Sequence, residues 1–517
     1  RIQLNRGNLV VTNLAAFGNP TNEVYLDSYA DNTLGNLRFA ISGTFPNPIN
    51  SVITTAVNTI GVDTNDVVLS GTISNGTLSK LGTGRLTITG TNTYSSGTTI
   101  TAGTLQVGNG GTTGTLGTGT VNNSATLEFN RAGSLSVGNI ISGTGALIQS
   151  GSGTTILSGG NTYSGPTTIS AGTLQIGAGS TAGTLGTGNV TNNGTLAFNR
   201  SDALTVTNIL SGTGNVTKAA AGTLTLSGNN SFSGGITISA GVISVAGATN
   251  LGSGPLGFTG AAGLTITGTN SVFPNAIDLG SVTGTNNLII PVASSITLNG
   301  TISGGVAGTT LFFDNVTSAN TGVLTLNGTN TFQGTLHVNR GPLVLGNASA
   351  AGIATIRLFA NNNPAGDLQF GTGGFTISNN VQLINPGAAN WIGVASGQTN
   401  GINGVIASNG LTKVGAGTLV LGAANTYTGG TTISNGVLQV GDGGTAGSLG
   451  TGGVTNNGTL SFNRANTNTF TNLITGTGGL LQLGSGTTIL TATNTYSGAT
   501  TVSNGVLQIN GSIASAT

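Results

Sequence analysis

Residues 90–108 read GTNTYSSGTTITAGTLQVG, with one tyrosine, two hydroxyl-rich clusters and no charge. Alone, the stretch has the look of a linker. It recurs, however, as GGNTYSGPTTISAGTLQIG at 159–177, GNNSFSGGITISAGVISVA at 228–246 and GTNTFQGTLHVNRGPLVLG at 328–346. Two more copies are AANTYTGGTTISNGVLQVG at 423–441 and ATNTYSGATTVSNGVLQIN at 492–510. The copies share Asn92, Asn161, Asn230, Asn330, Asn425 and Asn494. Two residues on from each stands Tyr94, Tyr163, Phe232, Phe332, Tyr427 or Tyr496. Eleven residues on stands Gly103, Gly172, Gly241, Gly341, Gly436 or Gly505. The Asn residues are 69, 69, 100, 95 and 69 residues apart, so the unit is 69 residues with a diverged stretch near 246–408. A second element keeps phase with the first: GTLGTGTVNNSATLEFNR (114–131), GTLGTGNVTNNGTLAFNR (183–200) and GSLGTGGVTNNGTLSFNR (447–464). A fixed period of this kind is the mark of a repeat architecture.

Within a unit the local pattern is strand. Runs such as RLTITG, TLQV, TLEFN and SLSV put apolar side chains at every second position. They end at Gly or Asn, which turn the chain cheaply through positive φ. Glu and Lys are nearly missing, and Ala shows no helical spacing. About nine runs per unit make three turns of a three-strand coil, about 23 residues per turn, an ordinary size for a solenoid repeat. The expected fold is all-β: a right-handed parallel β-helix with about three rungs per unit. Some 22 turns at roughly 4.8 Å each make a rod of roughly 100 Å. The repeat Asn and ring are placed at a corner, Asn bonding the turn and the ring covering the bend. The sequence divides into a divergent N-terminal part (1–69), regular repeats (70–250), a diverged section (251–404) and further regular repeats (405–517), which look open-ended.

Composition sets the limits on function. Only 4% of residues are charged, 12 basic against 11 acidic, while 36% are apolar and 92 are glycine. A near-neutral chain with that apolar content buries a core, unlike disordered chains. Singly scattered Lys and Arg exclude a nucleic-acid surface, which requires clustered cations. No apolar run is long enough for a membrane-spanning helix. The absence of Met at position 1 suggests that Arg1 follows a proteolytic cut, with an excised fragment as the alternative. The absence of Cys fits export without disulfides.

Residues 410–441, GLTKVGAGTLVLGAANTYTGGTTISNGVLQVG, resemble the passenger-associated transport repeat, also called the autotransporter-associated β-strand repeat; 77–108, 146–177, 215–246 and 479–510 do too. The resemblance implies a parallel β-helix exported to the bacterial surface, in autotransporter passengers and adhesins. It also implies a C-terminal outer-membrane barrel, for which these 517 residues hold no set of strands. Residues 27–43, DSYADNTLGNLRFAISG, are similar to a GSLRxAI segment near the start of bacterial extracellular β-helices, with Asn36 in place of Ser. Leu37–Ile41 is read as a candidate capping helix there. The acids Glu23, Asp27, Asp31, Asp63 and Asp66 would blunt an exposed end.

The search for chemistry finds no catalytic, cofactor or metal constellation. Glycoside hydrolysis needs two facing carboxylates, yet Asp202, Asp278, Asp314, Asp367 and Asp442 stand alone. Asp63 and Asp66 read as a solvated loop, His337 with Arg340 nearby as a substitution in the repeat, and GDGG at 441–444 as a turn. Arg131, Arg200 and Arg464, with Arg6 as a fourth, read as a structural ladder or surface stripe about 14 Å apart if three turns separate the copies. The leading expectation is a non-enzymatic extracellular rod, a building block of a bacterial surface fibre that stacks head to tail. The alternative is a glycan-binding adhesin, or less readily a polysaccharide lyase or hydrolase, whose site lies in 246–408 with Trp391, His337, Arg357 and Asp367.

Overall fold

The computed structural model describes residues 1–27, 36–52, 58–290, 294–315, 322–359, 364–385 and 390–513. Asp31 lies outside the described residues. The chain forms two compact units, residues 1–243 with 249–254, and residues 244–248 with 255–517. Each is a stack of short strands, and every described strand pair is parallel.

In the first unit Arg85–Ile88 pairs with Thr104–Val107, which pairs with Thr126–Phe129, which pairs with Ala146–Gln149. Alternation turns every second side chain inward, so Leu86, Leu105, Leu127 and Leu147 stack in register and are fully buried. The second unit repeats this ladder with Leu419, Leu438, Leu460 and Leu480. Burying one such side chain contributes roughly 1.5–3 kcal/mol. Each leucine's neighbours above and below are supplied by adjacent turns. At the corners, the repeat glycine is required: Gly172 has φ +60°, and a Cβ there would lie 2.3 Å from Gly151 O on the turn before. The same left-handed backbone occurs at Gly103, Gly241, Gly341, Gly436 and Gly505.

The structure sharpens the count of turns. From residue 78 to 146 there are eight strands, from Leu78–Leu81 to Ile141–Ser142. Two irregular segments, 92–95 and 115–118, complete the unit and still bond the turn before them: Thr93 N–H donates to Ile73 O and Thr118 N–H to Tyr94 O. Ten segments over three faces make three turns and a third, not three. Leu78–Leu81 therefore stands on the face of Thr98–Ile100 and Val121–Asn123. Its counterpart 69 residues later, Ala146–Gln149, stands on the face of Thr126–Phe129. The second unit behaves alike: Leu411–Val414 pairs with Thr431–Ile433, but its counterpart Gly479–Gln482 pairs with Thr459–Phe462. Each copy is rotated onto the next face.

Two expectations are corrected. Leu37–Phe39 is a strand, not a capping helix. Leu37 and Phe39 are fully buried, while Arg38 points out to a bidentate bond with Asp63 one turn on. That is a period of two, which a helix cannot satisfy. Short 3₁₀ turns occur instead, one of them at Leu14–Phe17, where Asn13 caps Ala15 N–H and Phe17 packs edge-on against Phe45. The arginine stripe is also absent, because Thr126–Phe129 and Thr195–Phe198, which precede Arg131 and Arg200, belong to different sheets.

Excising residues 147–215, one whole copy, joins equivalent positions and preserves every type of turn contact. The shortened chain is expected to keep its β-sheet circular dichroism and a cooperative melt. Excising 147–192, part of a copy, is expected to abolish both.

Candidate functional site

All six repeat asparagines are buried and make one pattern of bonds. Asn161 Oδ1 accepts the N–H of Ile141 at 2.9 Å, and its Nδ2 donates to Thr184 O at 2.8 Å. Ile141 lies on the turn before and Thr184 on the turn after, so one side chain bridges three turns. Asn92 joins Ile73 to Thr115, Asn230 joins Leu210 to Asn250, and Asn330 joins Ile302 to Ala350. Asn425 joins Ile406 to Ser448, and Asn494 joins Ile474 to Ser512. The irregular segments cannot complete a strand ladder, and the amide supplies the missing donor and acceptor. Buried backbone groups left unpaired cost roughly 1–3 kcal/mol each.

The ring two residues on is also buried. Tyr94, Tyr163, Tyr427 and Tyr496 hydrogen-bond through OH to Thr98, Thr167, Thr431 and Thr500, at 2.8, 2.8, 2.8 and 2.7 Å. Where the ring is Phe232 or Phe332, the residue four positions on is Ile236 or Leu336. The chain removes both hydroxyls or neither, since one alone would be buried without that partner.

The repeated arginines clamp loops. Arg131 donates to Gly114 O at 2.7 Å and to Thr112 O, Arg200 to Gly183 O at 2.6 Å, and Arg464 to Gly447 O at 2.6 Å and to Thr445 O. Each holds the exposed glycine-rich loop of its own copy; Arg6 is exposed. In GDGG, Asp442 accepts the N–H of Gly444 at 3.1 Å.

Of the diverged-region candidates, the structure brings together two separate pairs. His337 and Arg357 are register partners on adjacent strands of the second unit. Asp367 and Trp391 meet on another sheet, where the carboxylate accepts Trp391 N–H at 3.0 Å. Four acids engage arginines: Asp63 with Arg38, Glu128 with Arg85, Asp202 with Arg200, and Asp314 with Arg340. Among the described residues no three His, Cys, Asp or Glu side chains are grouped to hold a metal ion. No described helix is long and apolar enough to cross a membrane. Beside Asn330 in the second unit opens a groove of about 570 Å³, lined by Asn330, Ser349, Ile353, Thr355, Thr376 and Asn380. Ile353 on its rim is 74% exposed.

Residues 78–107, 147–176, 216–245, 316–345, 411–440 and 480–509 match the model of the passenger-associated-transport-repeat. The chain carries six copies of that transport repeat. It is also similar to the adhesin BmaC autotransporter of Brucella suis biovar 1 (strain 1330), 33% identical over 171 residues. That match covers 29% of this chain and 5% of the relative's length. No solved structure matches at a significant level.

Comparing copies of the transport repeat exposes residues that sequence reasoning missed. Lys80, Lys218 and Lys413 are buried, and the equivalents are Gln149 and Gln482 in the other regular copies and Ser318, outside the described residues, in the diverged one. Lys80 Nζ donates to Leu81 O, Gly82 O and Ala102 O at 2.8, 2.6 and 3.2 Å, and Lys413 makes the same set with Val414, Gly415 and Asn435. Gln149 and Gln482 direct their amides to carbonyls in the same way. The position wants a donor, and Lys or Gln supplies it. The visible signal was this Lys/Gln exchange with Glu never present.

Burial pushes Lys80 and Lys413 down to about 8 from 10.5, and lowers Lys218. The folded state therefore releases these protons before the unfolded state does, and stability rises with pH between about 8 and 10.5. Burial raises Tyr94 to about 12 from 10.0, and raises Tyr163 and Tyr427. There the unfolded state ionises first, so stability falls above pH 10. The melting temperature is expected to climb from pH 8 to a maximum near pH 10. In the variant carrying K80Q, K218Q and K413Q the climb should vanish and the fall remain.

A double-mutant cycle tests the buried hydroxyl pair. Tyr163→Phe and Thr167→Ile are each expected to destabilise, while the double variant recovers about 1–2 kcal/mol of their summed loss. Strict additivity in denaturant melts would refute the coupling.

Proposed function

We propose that the chain is the rigid, non-enzymatic β-solenoid part of a surface-displayed passenger, located outside the cell or at its surface. The observation that carries this reading is the Asn bridge, made six times within transport-repeat copies. It locks each irregular segment to the turns on either side and builds stiffness from local sequence alone. Walls of Thr, Ser, Asn and Gly with 4% charge suit an exposed scaffold whose stability changes little with salt. The pairing of Asp63, Glu128, Asp202 and Asp314 with arginines supports a non-catalytic role, since a hydrolase or lyase sets carboxylates against its substrate.

On such a scaffold two finer readings stand. In the first, the passenger is an adhesin, as its Brucella relative is named, and the diverged part of the second unit carries the contact surface. In the second, copies stack end to end into a fibre, since an unpaired strand edge templates further pairing. Electron micrographs of purified chain separate them: separate short particles at high concentration support the adhesin, and filaments the fibre. Incubation with polyuronates and neutral glycans should release no reducing ends and no unsaturated sugars. Release of either would overturn the non-enzymatic reading.

A further inference from the structure

One outward column on a sheet of the second unit carries no serine or threonine over five turns. On successive turns Asn287, Phe312, His337, Arg357 and Gln382 stand in register, each alternating outward between buried neighbours such as Leu336 and Val338 or Ile356 and Leu358. Phe312 meets the His337 ring edge-on at 5.0 Å. Beside them Asp314 is committed to Arg340 by two bonds of 2.7 Å. Arg357 is thus left, among the described residues, with no carboxylate partner. Its Nε and the Nε2 of His337 are buried and have no hydrogen-bond partner. Burial, then the Arg357 charge, push His337 below its usual value, so it stays neutral at pH 7 and adds no second cation. The groove beside Asn330 reaches this face at Thr355, whose side chain points the same way as Arg357 two residues on.

A guanidinium without a carboxylate partner fits a carboxylate through its planar fork. The surroundings fit a sugar: Phe312 offers a ring, Asn287 and Gln382 offer amides, and the groove continues in Asn, Ser and Thr side chains. We infer that Arg357, flanked by Phe312 and His337 and continued by the groove at Thr355, binds a carboxylate-bearing sugar of an acidic polysaccharide. The inference rests on the adhesin reading and names its ligand class. Arg357 and Phe312 would touch the ligand; His337 would act through them as a positioning residue.

The test uses the full chain in binding assays against a polyuronate, the same polymer with its carboxyls reduced, dextran sulfate and neutral dextran. Polyuronate alone is expected to bind well, and Arg357→Gln should weaken it about tenfold or more, with Arg357→Lys in between. Arg6→Gln, which removes an equal charge from an exposed site in the first unit, should bind as the parent does. Equal loss in both glutamine variants, unchanged binding in Arg357→Gln, preference for dextran sulfate or equal binding of the reduced polymer would each overturn the assignment. A circular dichroism melt matching the parent's shows that Arg357→Gln still folds; if it does not, Phe312→Ser serves in its place with the same expectation. A chain that binds other glycans independently of Arg357 defeats this inference and leaves the adhesin reading standing. A chain that binds no glycan or surface ligand at all defeats both.

Discussion

The side-chain amide of a repeat asparagine does the work that a strand ladder does elsewhere. In a parallel coil the backbone groups of a turn have partners only on the turns before and after. Wherever a segment is too irregular to form a strand, those groups need another partner or lose roughly 1–3 kcal/mol each. Asn161, reaching Ile141 behind and Thr184 ahead, meets both needs at once. The buried tyrosine–threonine pair and the glycine corner follow from it, because each fills or clears the space beside an irregular segment. The leucine ladder supplies most of the burial, but the amide is what lets the ladder continue past the breaks.

Much of this was legible in the sequence, because the repeat is local. The period, the alternating strands and the positions of Asn, ring and Gly all follow from short-range pattern. What the sequence hid was phase. Counting nine runs per unit gave three whole turns, since 92–95 and 115–118 do not read as strands and fill a face without alternating. Only the backbone bonds of Thr93 and Thr118 reveal them as rungs. Leu37–Phe39 was misread for a related reason. Three residues cannot distinguish the two periods, and the deciding feature is Asp63, 25 residues away.

The candidate surface was legible in part. The loss of repeat regularity at 246–408 marks the stretch that holds the candidates, and His337 and Arg357 share a sheet there. Trp391 and Asp367 do not join them, because side-chain direction and face depend on turn lengths that vary there. The buried lysines escaped notice because lysine is so seldom buried. Their meaning emerges only when the copies are aligned and glutamine appears in the same place. Such comparisons act as internal substitution experiments, with Phe232 beside Ile236 as another.

The extra third of a turn has a consequence for how such molecules tolerate crowding. Were every copy an integral number of turns, each surface loop and each exposed Ile140 or Ile209 would line up along a face, making a long regular strip. Identical strips on neighbouring molecules would match in register and drive side-by-side bundling. Rotating each copy onto the next face breaks that strip within each unit. A sequence can thus be copied many times, gaining length cheaply, without presenting one uninterrupted strip along a face.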